Sequence, residues 1–295
     1  MENERAFDLI LNIEKVMMES LHGGFLDPHI FKILDDPDAS REVIESMKSR
    51  IAPVIWMRLL DHANAIYFGS LRRGQIDSFY DVVIRMGMHQ TKALIFTLAL
   101  HLFGRNDREV ETVFARRFAT SVMAHMLALQ MGFREQAAQK AELAGLLMEI
   151  GRTMMLVYRK FTAPKEEGID DEFIDAFHSY LGERIVSHFN MPEYVKTVIL
   201  NRTIILEENY ISLPGVVYLA YENVRSSFAT HDNRLVISCQ TPKPATDVSR
   251  TLEAILRDKF RAAGLDEYLH IIPIQSINGL CESGEVAHPV STGAE

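Results

Sequence analysis

The sequence is poor in cysteine, in net positive charge and in long apolar runs, and each shortage removes a class of function. Cysteine occurs twice in 295 residues, at Cys239 and Cys281. The two lie far apart and neither belongs to a CxxC pair, so neither a disulfide framework nor a cysteine-built zinc cage is expected. Two free thiols fit a reducing compartment. Acidic residues outnumber basic ones 40 to 31, for a formal net charge of -9. A duplex nucleic-acid binder takes most of its affinity from phosphate neutralisation and carries a basic stripe. Only basic pairs such as Arg72-Arg73 and Arg116-Arg117 occur here, so nucleic acid is not an expected partner. No apolar run is long enough to span a bilayer; the best, Ala93–Phe103, is too short and contains His101. The start, MENERAFDLILNIEKV, lacks the basic-then-apolar order of a secretory signal. The expected location is the cytoplasm, with no membrane partner.

Familiar chemical motifs are also missing. There is no GxGxxG after a strand, no GxxxxGK phosphate loop and no GxSxG elbow. His22-Gly23-Gly24-Phe25 is a glycine turn with no phosphate loop after it. Asp35-Asp36-Pro37-Asp38 looks like a calcium-loop fragment but lacks the glycine and the terminal Glu, and reads more simply as a capping turn. Cys239 has no nucleophile signature around it.

What the chain has is helical periodicity over an ordinary globular mixture, 47% hydrophobic and 24% charged. Leu143, Leu147, Ile150, Met154, Val157 and Phe161 recur at alternating four- and three-residue steps, as one helix face requires. Phe118, Val122, His125 and Leu129 repeat the pattern, widened by Ala119, Met123 and Met126 into a stripe that belongs in a core. Val82–Phe103 is similar, with Gly87 as a break. Helix starts are signalled at Ser40, at Asn106-Asp107, at Asp170-Asp171 and at Ser212-Leu213-Pro214. Met191-Pro192-Glu193 reads as a corner between helices. Leu235–Ser238 is the one strand-like run, Thr241-Pro242-Lys243-Pro244 reads as a linker, and Thr251–Ala263 as a further amphipathic helix. Most of the fourteen methionines fall on core-like stripes, so packing explains them better than an adaptable surface does.

Four pieces occur in a particular order: RLLDHANAIYFG at 58–69, IDSFYDVVIRMG at 76–87, AGLLMEIGR at 144–152 and FNMP at 189–192. Together they resemble the HDOD family, a bacterial signalling-associated branch of the HD superfamily, over roughly Leu26 to Leu219. The resemblance implies an all-α fold, an N-terminal helical bundle packed on a smaller HD-like helical bundle, plus a C-terminal helix. The corresponding divisions are an N-terminal helix at 1–25, an HDOD-like domain at 26–219 with its HD-like part at about 107–219, a helical extension at 220–273 and a flexible tail at 274–295. Asn64 stands where the family has its Ala-Asn-Ser. Such an amide can cap a helix or tie its end to a neighbouring backbone.

HD-type phosphohydrolases hold a divalent metal with His and Asp side chains from several helices, and the metal activates water and clamps phosphate oxygens. Here the central His-Asp pair is replaced by Met148 and Glu149. A thioether is a poor ligand for hard or borderline metals. On the preceding helix, where the resemblance would supply a His, stand Arg116 and Arg117, and a guanidinium repels a cation. Downstream, Leu200-Asn201-Arg202-Thr203 replaces the paired histidines. His178 matches a family histidine ahead of Gly182; it reads as a surviving ligand, a polar contact, or a helix-surface or cap residue. His125 and His188 read as hydrogen-bonded core histidines. His62, His89 and His101 lack a paired spacing. The vestigial positions are therefore Arg116, Arg117, Met148, Glu149, His178 and Arg202, with no metal and no cofactor expected. Arg116, Arg152 and Arg202 could instead gather an anion, or pair with Glu149, Glu142 or Glu183 or face water.

The expected function is a non-catalytic signalling or regulatory module that binds signalling proteins, with a homo-oligomer left open. The alternatives are a metal-dependent phosphohydrolase with an altered ligand set, drawing on Glu149 and His178, and a sensor of an anionic small molecule such as a nucleotide.

Overall fold

A computed structural model describes residues 2–64, 76–162, 169–201, 206–207, 210–228 and 261. The helices are α1 (Glu2–His22), α2 (Pro28–Leu34), α3 (Arg41–Ser46), α4 (Pro53–Asn64), α5 (Phe79–Met86), α6 (Met88–Gly104), α7 (Arg108–Gln130), α8 (Glu135–Leu147), α9 (Ile150–Val157), α10 (Asp171–His188), α11 (Glu193–Leu200) and α12 (Leu213–Phe228). A 3-10 turn spans Met47–Arg50 and a π-helical turn spans Tyr158–Thr162. Two antiparallel two-residue strands, Leu206–Glu207 and Tyr210–Ile211, are the sheet structure among the described residues. The fold is thus all-α, as the sequence implies. The strand-like run at Leu235–Ser238, the linker, both cysteines, nearly all of Thr251–Ala263 and the tail lie outside the described residues.

Local chemistry starts and stops these helices. Ser40 accepts from the Val43 N–H, Ser78 from Asp81, Asp107 from Glu109 and Val110, and Asp170 from Phe173, each satisfying a first-turn donor that has no helical acceptor. Gly87, at φ 86°, separates α5 from α6. Gly132 at φ 83° and the asparagines Asn106 and Asn190 also sit at positive φ, where a glycine or a short amide is tolerated. At the end of α4, Asn64 accepts from the Ile76 N–H and donates to the Ile76 carbonyl, both at 3.0 Å. Its amide ties the helix end to a distant backbone.

α6 is the axis of the molecule. Every residue from Thr91 to Leu100 is buried, because the helix packs against α1, α2, α4 and α5 on one side and α7, α8 and α9 on the other. α7 and α8 form the closest-packed pair, α12 lies across both, and α10 packs on α9. α12 runs through Leu219 without a break, so a helix crosses the boundary placed at 219. α1 is clasped to α10 by the Arg184–Glu14 ion pair at 2.6 Å and to the π turn by Asn12 donating to the Tyr158 hydroxyl at 3.1 Å.

The continuous helix expected over 143–161 is instead two helices and a π turn. Met148 and Glu149 form the break, with Glu149 at φ -108° and ψ 27°. The apolar period survives because the break sits inside the core. Phe161, counted on the same face, is 43% exposed.

Candidate functional site

Small residues set how close the helices around the break can come. A Cβ on Gly151 would lie 1.9 Å from the His178 carbonyl oxygen and 2.6 Å from the Gly182 N, so α9 and α10 touch backbone to backbone. Gly145 does the same between α8 and α7, where a Cβ would sit 3.0 Å from the Ser121 Cα. These contacts bring α7, α8, α9, α10 and α12 around Met148 and Glu149.

Both residues of the pair are buried, at 1% and 2% exposure. Glu149 Oε1 accepts from the Tyr221 hydroxyl of α12 at 2.9 Å and lies 3.4 Å from Arg152 Nε. Its Oε2 is buried with no hydrogen-bond partner among the described residues. Arg152 also holds Asp175 of α10 in an ion pair. His178 is buried at 4% exposure, not at the surface or at a cap.

Among the described residues Arg117 is the largest fully buried side chain. Its Nε donates to the Leu146 carbonyl at 2.8 Å, and its two terminal nitrogens lie 3.1 Å from the Thr97 hydroxyl and 3.4 Å from that of Thr153. The guanidinium carbon sits 5.0 Å from the Phe114 ring centroid. One cation therefore bridges α6, α7, α8 and α9 next to the Met148–Glu149 break. Burial pulls its pKa down to about 9, opposed by the Glu149 charge, so it stays protonated at neutral pH.

The donor set does not fit a divalent cation. A thioether, a single carboxylate whose Oε1 meets a tyrosine and an arginine, and a buried guanidinium replace imidazoles and aspartate. Among the described residues no group of three or more His, Cys, Asp or Glu side chains converges as a metal cage would. Arg116 is half-buried with its Nε enclosed and unpartnered, while Arg202 lies outside the described residues.

Three of the other histidines sit in packing. His125 Nδ1 is 3.1 Å from Glu142 Oε2 in a buried α7–α8 pair, His62 stacks on Phe118 and His101 on Phe114. His188 is exposed at the end of α10, where the sequence suggested a core residue. Asp36 accepts from the Asp38 N–H at 3.0 Å, the capping turn read in that segment. Tyr221 and Lys92 were missed. Neither has a local signal, since their partners lie 72 and 57 residues away in sequence. Among the described residues no helix is long and apolar enough to cross a membrane.

Comparison with known proteins agrees with this architecture. Residues 28–204 match the HDOD domain family. No curated protein matches the chain. A crystal structure from Shewanella amazonensis SB2B, provisionally named a metal-dependent phosphohydrolase, aligns over 90% of this chain and 99% of its own with 14% identity and a TM-score of 0.50. An HDOD domain protein of unknown function from Geobacter sulfurreducens aligns over 94% of this chain and 95% of its own, with 19% identity and a TM-score of 0.45. The HD domain of the L. monocytogenes phosphodiesterase PgpH covers 62% of this chain and 91% of its own, with 15% identity and a TM-score of 0.32. The first of these shares the helical fold.

Proposed function

The chain belongs to the HDOD domain family, and from that premise we propose that it is a non-catalytic signalling or regulatory module that works in a bacterial cytoplasm by binding other proteins. The observation that supports this reading is Arg117. Its guanidinium brings a fixed positive charge into the helices that would carry a metal, and its hydrogen bonds to Leu146, Thr97 and Thr153 secure it there. A divalent cation beside it would be repelled. Glu149, the one carboxylate at the break, meets Tyr221 and Arg152 through Oε1 alone, and one carboxylate oxygen does not make a metal cage.

The competing reading is a metal-dependent phosphohydrolase with an altered ligand set. Metal analysis of the purified protein, with hydrolysis of bis(p-nitrophenyl) phosphate in the presence of manganese or ferrous ion, separates the two. The module predicts no stoichiometric metal, no turnover above the metal blank and a melting temperature unmoved by a chelator. About one metal per chain together with chelator-sensitive turnover overturns it.

A further inference from the structure

The chain beyond α12 makes a contact far from the Met148–Glu149 break. Arg58 of α4 donates from Nη1 to the backbone carbonyl of Arg261 at 2.9 Å, across 203 positions of sequence. Arg261 is the one described residue beyond Phe228, and it is helical. It falls near the end of Thr251–Ala263, where Leu252, Ile255, Leu256 and Phe260 recur at helical spacing and Gly264 follows as a stop. A helix that ends at Ala263 leaves its last four carbonyls without intrahelical donors, and that of Arg261 is among them. The same end carries the negative pole of the helix dipole, which favours a cation such as a guanidinium. On α4, Val54, Arg58 and His62 stand one turn apart on a single face; Val54 and Arg58 are half-buried. His62 stacks on Phe118, Phe118 lies 6.1 Å from Phe114, and Phe114 stacks on His101 at the end of α6. Arg58 therefore stands at the edge where α4, α6 and α7 meet.

We propose that this edge is the docking surface for the chain's own segment Thr251–Ala263, which lies there as a helix with its last turn held by Arg58 and its apolar side turned toward Val54 and His101. The occupant is identified by the hydrogen bond, since Arg261 belongs to that segment and to no other amphipathic stretch. The apolar residues Leu252, Ile255, Leu256 and Phe260 supply a face that a helix must bury to be stable in water. α12 lies across α7 and α8, so a chain that leaves it at Phe228 and is held again at α4 ties the second bundle back to the first. The α4 edge would then carry a built-in occupant, whichever reading of the break holds, and a protein that binds this edge must first displace it.

Native-state hydrogen exchange of the full chain tests this, with peptides over 251–263, over α4 and, as an internal reference, over α7 and α8. In the wild type the 251–263 peptides should exchange at least tenfold more slowly than a free chain. Arg58→Glu removes the donor and sets a carboxylate against the negative end of the docked helix; protection over 251–263 should fall several-fold while α7 and α8 keep theirs. The reciprocal variant Leu256→Ser, Phe260→Ser leaves every described residue intact and should speed exchange over α4 several-fold. Free-chain exchange over 251–263 in the wild type, unchanged protection there in Arg58→Glu, or unchanged protection of α4 in the reciprocal variant overturns the dock. Protection over 251–263 that disappears on dilution, as a dimer falls apart into monomers, would assign the edge to the segment of a second copy and overturns it equally.

Discussion

His101 converts a stacking contact into a measurable dependence on acid. It lies near the end of α6, 4.5 Å from the Phe114 centroid and tilted 25° to that ring. Burial first, then Arg58 and then Arg117, push its pKa from 6.5 to about 4. The folded protein therefore refuses a proton that the unfolded chain accepts between those two values. Stability from this group is fully present above pH 6.5, declines as the pH falls through the interval and levels off below about 4. At about 1.4 kcal/mol per pKa unit the limiting loss is roughly 3 kcal/mol, of which about 2 kcal/mol is already gone at pH 5. His101→Phe retains a ring against Phe114 and removes the titration. Urea unfolding followed through Trp56, the single tryptophan, reads the difference. With an m-value of about 3 kcal/mol/M, the wild type should lose roughly 0.7 M more of its midpoint between pH 7.5 and 5 than the variant does. Equal losses in the two proteins would show that His101 titrates normally, and the argument from its surroundings would be wrong.

Gly151→Ala should destabilise the protein by about 3 kcal/mol or more, because its Cβ would meet the His178 carbonyl oxygen at 1.9 Å and force two helix backbones apart; a thermal melt within a degree or two of wild type would refute the close approach. Asp35→Ala should cost about 3 kcal/mol in the same urea assay by stranding the ammonium of fully buried Lys92. An effect near zero would mean that the Phe189 carbonyl and solvent suffice for Lys92.

Features settled within a few residues were legible from the sequence. Ser40, Asp107 and Asp170 cap helices because their side-chain oxygens reach N–H groups two or three positions ahead, and Gly87 breaks a helix because it alone there adopts a positive φ at no steric cost. The replacement of the His-Asp pair by Met148 and Glu149, and the guanidinium on the preceding helix, were also legible, since residue type alone carries the argument. Features made by distant partners were not. A 3.6-residue period does not register a two-residue break inside a core, so α8 and α9 read as one helix. Lys92 looks like a surface residue until Asp35 and the Phe189 carbonyl are brought to it. His178 is hidden because the glycines at 151 and 182 draw α9 onto α10, and that closeness is a property of two helices together.

A metal ion in a protein is a tenant whose occupancy follows the surrounding supply, and it leaves when a stronger competitor or a proton claims its ligands. The Arg117 cation is tethered to α7 by its own side chain, so its presence beneath the Met148–Glu149 break is set by covalent reach. On the proposed reading, a bundle neutralised in this way would keep its shape through metal starvation or excess.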